Sequence, residues 1–210
     1  MNNKLLVTLA AVGAMFAGYW FGQQQDGQPS STDAGLPQIQ GFILQTPRKI
    51  GIPELLRDDG QAFSQQDLNG RWSLLFYGYT HCPDICPATL SMLAAAKKLA
   101  ADKQQPFPQV VFVSVDPQRD KAALVADYVR YFDEDFIGVT GEEKLLQAMA
   151  MQMSVAAMAM PAEKPGDAYL VDHSANLMLL NPQVEMVAML KPPFGADQVL
   201  QTIATVQAVR

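Results

Sequence analysis

Two cysteines and two histidines are all that the 210-residue chain carries of those types. Two cysteines cannot build the multi-bridge framework of a small secreted scaffold, so their meaning must come from where they stand. Positive charge is also in deficit. Fifteen Lys and Arg against 21 Asp and Glu leave a net charge of -6 and a pI near 4.8. A nucleic-acid backbone would be repelled by such a surface, so nucleic acid is not an expected partner, and the acidity reads as serving solubility. No internal repeat is visible. With 49% hydrophobic residues the composition is that of a globular protein and excludes wholesale disorder. The length predicts one domain with an appendage.

Long uncharged hydrophobic runs are equally scarce. The one at the start, Leu5 to Gly22, follows Lys4 and closes on Tyr19, Trp20 and Phe21. About 17 to 25 apolar residues cross a bilayer as a helix, so residues 1–22 are expected to form a single N-terminal transmembrane anchor. Lys4 and the amino terminus favour the cytoplasmic side, and the aromatic trio suits the far interface. The competing reading is a cleaved signal peptide, but bulky residues stand where a small-x-small cleavage site would be needed. Either reading exports the rest. The expectation is a single-pass protein of a bacterial inner membrane with its C-terminal domain in the periplasm. Residues 23–40, rich in Gln, Ser, Pro, Gly and Asp, read as a flexible linker, and residues 41–210 as the folded domain.

Within that domain strand and helix patterns alternate. Ser73 to Tyr79 and Val110 to Val115 are nearly continuous apolar runs suited to strands buried on both faces. Ala88 to Ala101 and Lys121 to Phe132 carry helical spacing, the second expected to be capped by Asp120. Phe136 to Val139 is a short strand, and Thr140 with Glu143 reads as a capping box for a helix over Glu142 to Met151. Strands over Ala168 to Val171, Leu177 to Leu180 and Glu185 to Leu190 precede a last helix, Asp197 to Val209. This order predicts a three-layer α/β domain, whose ligands gather at the carboxyl ends of the strands.

The cysteines lie at one such end, in Tyr77-Gly78-Tyr79-Thr80-His81-Cys82-Pro83-Asp84-Ile85-Cys86-Pro87. Cysteines four apart at a helix start can face one side, and the positive end of the helix is expected to lower their pKa. Two soft thiolates suit Cu(I) or zinc, and they can equally close into a reversible, redox-active Cys82–Cys86 disulfide. A plain structural disulfide would close only a tiny loop and add little stability.

The segment Tyr79 to Pro87 resembles the signature of the Sco (SenC) family, named for synthesis of cytochrome c oxidase. The resemblance continues through Ser114-Val115-Asp116-Pro117-Gln118-Arg119-Asp120, Phe136 to Gly141 and Tyr169-Leu170-Val171-Asp172-His173-Ser174, in the same order. It implies a thioredoxin-like α/β/α sandwich, anchored in a membrane. It also implies a copper ion, Cu(I) or Cu(II), held by Cys82, Cys86 and His173, and a role in maturing the dinuclear copper centre of cytochrome c oxidase subunit II. His173 is expected in a polar turn after a strand, with Asp172 or a backbone carbonyl on its other ring nitrogen. His81 is excluded as a ligand because neighbouring residues of an extended chain point oppositely. Asp84, Asp116 and Asp172 read as turn formers or as groups beside the metal.

Met149, Met151, Met153, Met158 and Met160 are soft donors too, but a helix-to-strand passage should scatter them, and packing is the expected role. Leu180-Asn181-Pro182-Gln183-Val184 departs from the family turn by lacking its glycine. The leading function is a metallochaperone without turnover, which needs a thiol reductant to open the disulfide. The alternative is a thiol–disulfide reductase of the recipient's cysteines, which needs no His173. A thiol peroxidase fits less well, because paired, proline-flanked cysteines are unlike its single activated thiol.

Overall fold

The computed structural model describes residues 36–160, 169–173 and 175–210. The expected anchor over 1–22 and the linker up to residue 35 lie outside the described residues. Among the described residues, no helix is long and apolar enough to cross a membrane. The packed unit begins at Pro37, where Ile39 joins the core and the Gln40 carbonyl accepts from Lys191 N–H at 3.1 Å.

The chain runs through β1 (Gly41–Lys49) and the hairpin β2 (Leu55–Arg57) and β3 (Ala62–Phe63), turned by Gly60 with φ +85°. A short 3-10 turn at Gln65–Asp67, capped by Ser64, leads to β4 (Ser73–Gly78). Two crossovers follow: α1 (Ile85–Asp102) to β5 (Gln109–Ser114), and α2 (Ala122–Phe132) to β6 (Ile137–Thr140). Then come α3 (Glu143–Gln152), β7 (Ala157–Met160), β8 (Leu170–His173), β9 (Leu177–Leu180), β10 (Glu185–Leu190) and α4 (Ala196–Ala208). The sheet order is β1-β10-β9-β4-β5-β6-β2-β3, parallel within β4-β5-β6 and antiparallel elsewhere; β7 and β8 form a separate ribbon.

β4 explains the three layers. Its side chains alternate, so Leu74 and Phe76 pack with Leu90 and Leu93 of α1, Val125 of α2 and Ile203 of α4. Leu75 and Tyr77 face the opposite way, onto Leu146 and Met149 of α3. Both faces are buried, which is why the strand reads as an unbroken apolar run.

Two expected caps are otherwise employed. The backbone of Lys121, not Asp120, occupies the cap of α2, and no side chain bonds there. Glu142 occupies the cap of α3, again without a side-chain bond, while the Thr140 hydroxyl donates to the Asp120 carbonyl at 2.8 Å. In the turn that lacks the family glycine, Val184 takes φ +60°, a strained conformation for a β-branched residue. Asn181 braces it, its Oδ1 accepting from Gln183 N–H at 3.1 Å and Glu185 N–H at 2.9 Å.

Candidate functional site

β4 ends at Gly78, the chain turns, and α1 begins at Ile85. Cys82 lies in that turn, its N–H donating to the Tyr79 carbonyl at 3.2 Å, whereas Cys86 sits in the first turn of the helix. The helix start therefore holds one cysteine and not two. No disulfide joins the two thiols, and they touch in a hydrogen bond, Cys82 half-buried and Cys86 fully buried.

Burial reverses the expected electrostatics. Removal from water pushes the Cys86 thiol well above the ordinary range, more strongly than the Tyr79 N–H bond to its sulfur pulls it down. The nearby Cys82 and Asp120 push it further up. The dipole of α1 does not offset the desolvation of a sulfur enclosed by sheet and helices, so Cys86 waits as a neutral thiol.

The loop is held from below by Asp120, fully buried. Its carboxylate accepts from Thr80 N–H at 3.1 Å, Thr80 Oγ1 at 2.6 Å and Ser114 Oγ at 2.7 Å. His81 turns outward, its side chain 47% exposed, with Nδ1 3.0 Å from Thr80 Oγ1 and 3.8 Å from Asp120 Oδ1. Asp84 occupies the cap position of α1 but makes no side-chain cap bond.

The expected turn at Asp172-His173 is strand: β8 runs through His173, whose backbone pairs with Ala157 of β7. The His173 and Asp172 side chains lie outside the described part of the structure. The strand itself reaches the cysteine loop. The Val171 N–H donates to the Tyr79 hydroxyl, and that hydroxyl also hydrogen-bonds Cys82. Tyr79 thus joins the dithiol to the strand that carries His173. Tyr169, the residue before β8, is tied down as well, through Arg119 and Asp116. The Tyr169 hydroxyl donates to Asp116 Oδ1 at 2.6 Å and Arg119 Nη1 donates to the Tyr169 carbonyl at 3.0 Å. Tyr79, Arg119, Tyr169 and Asp120 were not singled out as functional by sequence reasoning. They lie inside the matched motifs, which is the one signal that could have found them. Among the described residues, no group of three or more His, Cys, Asp or Glu is set to hold a metal, and the dithiol supplies two soft donors.

Residues 45–208 match the SCO1/SenC family. The chain belongs to that family. Among its Sco relatives, the mitochondrial SCO2 homolog of Danio rerio is 33% identical over 187 residues, 87% of this chain and 63% of that one. The mitochondrial SCO1 homolog 1 of Arabidopsis thaliana is 40% identical over 139 residues, 66% of this chain and 41% of that one. The chain thus spans less than two thirds of the length of either relative. The crystal structure of Arabidopsis thaliana ScoI with copper bound superposes with a TM-score of 0.69 at 33% identity, covering 81% of this chain and 99% of that one. The fold is accordingly the thioredoxin-like α/β fold of Sco proteins.

Proposed function

We propose that this Sco-family chain is a membrane-anchored copper metallochaperone. It takes up one copper ion, Cu(I) or Cu(II), through Cys82, Cys86 and His173, and passes it to cytochrome c oxidase subunit II or a similar copper acceptor. The observation that carries the reading is the contact between the Cys82 and Cys86 thiols, with β8 hydrogen-bonded to the same tyrosine as Cys82. Alternation along a strand puts positions 169, 171 and 173 on one face, and Val171 belongs to the hydrophobic cluster that holds Cys86 and Tyr79. Two thiolates and an imidazole form a donor set suited to copper.

Capture releases the thiol protons as the sulfurs bond the metal, and delivery is an exchange of these ligands for a partner's. If the pair has closed to a disulfide, two electrons and two protons from a thiol reductant must reopen it first. The run Leu5 to Gly22 would hold the domain at a bacterial inner membrane, facing the periplasm.

The second reading, a thiol–disulfide reductase of the recipient, is favoured by the contact between a half-buried and a buried thiol. Copper titration of the reduced chain separates the two. One ion per chain, lost in Cys82→Ser and Cys86→Ser and weakened in His173→Ala, supports the metallochaperone. Undiminished copper affinity in His173→Ala removes the imidazole from the site and leaves the dithiol chemistry as the better description.

A further inference from the structure

We propose that Arg119 is a positioning residue that sets the stance of β8, and with it His173, against the cysteine loop; this rests on the copper-site reading above. Arg119 stands in the turn after β5, its N–H donating to the Asp116 carbonyl at 3.2 Å. Its guanidinium engages two separate parts of the site. Nε pairs with the Asp116 carboxylate, and Nη1 donates to the Tyr169 carbonyl at 3.0 Å. The plane lies over the Tyr169 ring, 3.6 Å from its centroid, and 5.7 Å from the centroid of Tyr79. The Tyr169 hydroxyl closes the ring of contacts on Asp116.

One cation therefore touches the residue before β8 and the residue after β4 at once. β7 pairs with β8 along one edge, and the cysteine-loop side holds the β7–β8 ribbon at two points two residues apart: Tyr169, just before β8, by Arg119 and Val171 by Tyr79. A ribbon held to the domain at one point can pivot about it, whereas two points fix its direction. His173 is the next position on that face.

Close packing holds only one side of the segment. A cleft of about 540 Å³, lined in part by Asp116, Tyr169 and Val171, opens along the strand. The arrangement is also poorly explained as a stabilising ion pair, since Arg119 Nη2 is buried without a hydrogen-bond partner among the described residues. A lysine would keep the charge and lose both the planar stack and the fork that reaches carboxylate and carbonyl together.

The test uses the full chain in detergent, reduced for copper titration and oxidised for the disulfide measurement. Copper affinity and the nitrogen hyperfine splitting of the Cu(II) resonance report the imidazole. The rate of Cys82–Cys86 disulfide reduction, which needs no histidine, reports the cysteine loop. In Arg119→Ala we expect affinity to fall by about tenfold to a hundredfold and the nitrogen splitting to weaken, with disulfide reduction unchanged. Arg119→Lys should not restore either signal. Should Arg119→Ala fail to fold, Arg119→Lys carries the test, and wild-type affinity and splitting in it overturn the proposal. Unchanged affinity in Arg119→Ala, beside a loss in His173→Ala, overturns this proposal alone. Unchanged affinity in His173→Ala overturns the ligand reading and the clamp together.

Discussion

Gly78 stands so close to Cys86 that a Cβ built upon it would lie 2.8 Å from the sulfur, and 2.7 Å from Cε2 of Phe112. Both neighbours are fully buried, so neither has free space to move into. Gly78→Ala should destabilise the domain by about 1–3 kcal/mol through overpacking, and displace the Cys86 sulfur from its seat, altering its contact with Cys82. Denaturant unfolding gives the first effect and the rate of disulfide closure the second. Wild-type values for both would show that the sulfur is not seated against this glycine.

Copper capture should be pH-dependent, because the buried Cys86 thiol is held protonated and must lose its proton to bind. Apparent affinity should rise about tenfold per pH unit for each proton released, between about pH 6 and 8. Calorimetry in buffers of different ionisation enthalpy counts those protons; a count of zero would mean that the thiolates are already formed. Stability has the opposite trend. The folded-state pKa of Cys86 lies above its unfolded value, so the unfolded chain loses its proton first. The contribution is complete below about pH 8.5 and declines as pH climbs beyond it. Cys86→Ala should flatten that decline in an alkaline unfolding series.

Asp120 gathers three donors under the cysteine loop. Asp120→Asn can keep one oxygen for Thr80 N–H and Ser114 Oγ, but it turns an amide N–H toward the Thr80 hydroxyl, which must then accept, and it removes the charge from all three bonds. We expect a loss of about 1.5–3 kcal/mol, the range for a hydrogen bond to a charged group. Thermal unfolding within a degree of wild type would show that the loop is held by other contacts.

The methionines should divide by burial. Met149 and Met153 are fully enclosed, whereas Met151 is 74% exposed. Met149→Ala and Met153→Ala should each destabilise the fold by about 2–5 kcal/mol. Met151→Ala should change neither stability nor copper stoichiometry. Its exposure already departs from the packing expected of it, and a lower copper stoichiometry in Met151→Ala would make this side chain a donor.

These residues show where sequence was readable. β4, β5 and β10 were recognisable because burial on both faces writes an unbroken apolar run, and the helices because their stripes recur each turn. The nearness of Cys82 and Cys86 followed from four residues of separation, a distance the local backbone nearly dictates. The caps were misassigned for a reason in the chemistry. An Asp or Thr before a helix looks the same whether it bonds the helix or a distant group, and Asp120 bonds Thr80, 40 residues away. The extent of β8 through His173 was hidden as well, because Asp, His and Ser have the composition of a turn and the pairing with Ala157 comes from another segment.

By itself the sequence determined the alternating units, the buried strands, and a dithiol at a strand–helix junction, with the four motifs that mark the Sco family. All of these depend on residues close together in the chain. Only the tertiary structure decided that Cys86 is a neutral buried thiol, that Asp120 turns inward, and that Tyr79 and Arg119 hold β8 to the cysteine loop. Desolvation and cross-chain hydrogen bonds are set by distances between segments 40 or 50 residues apart, which no local pattern encodes.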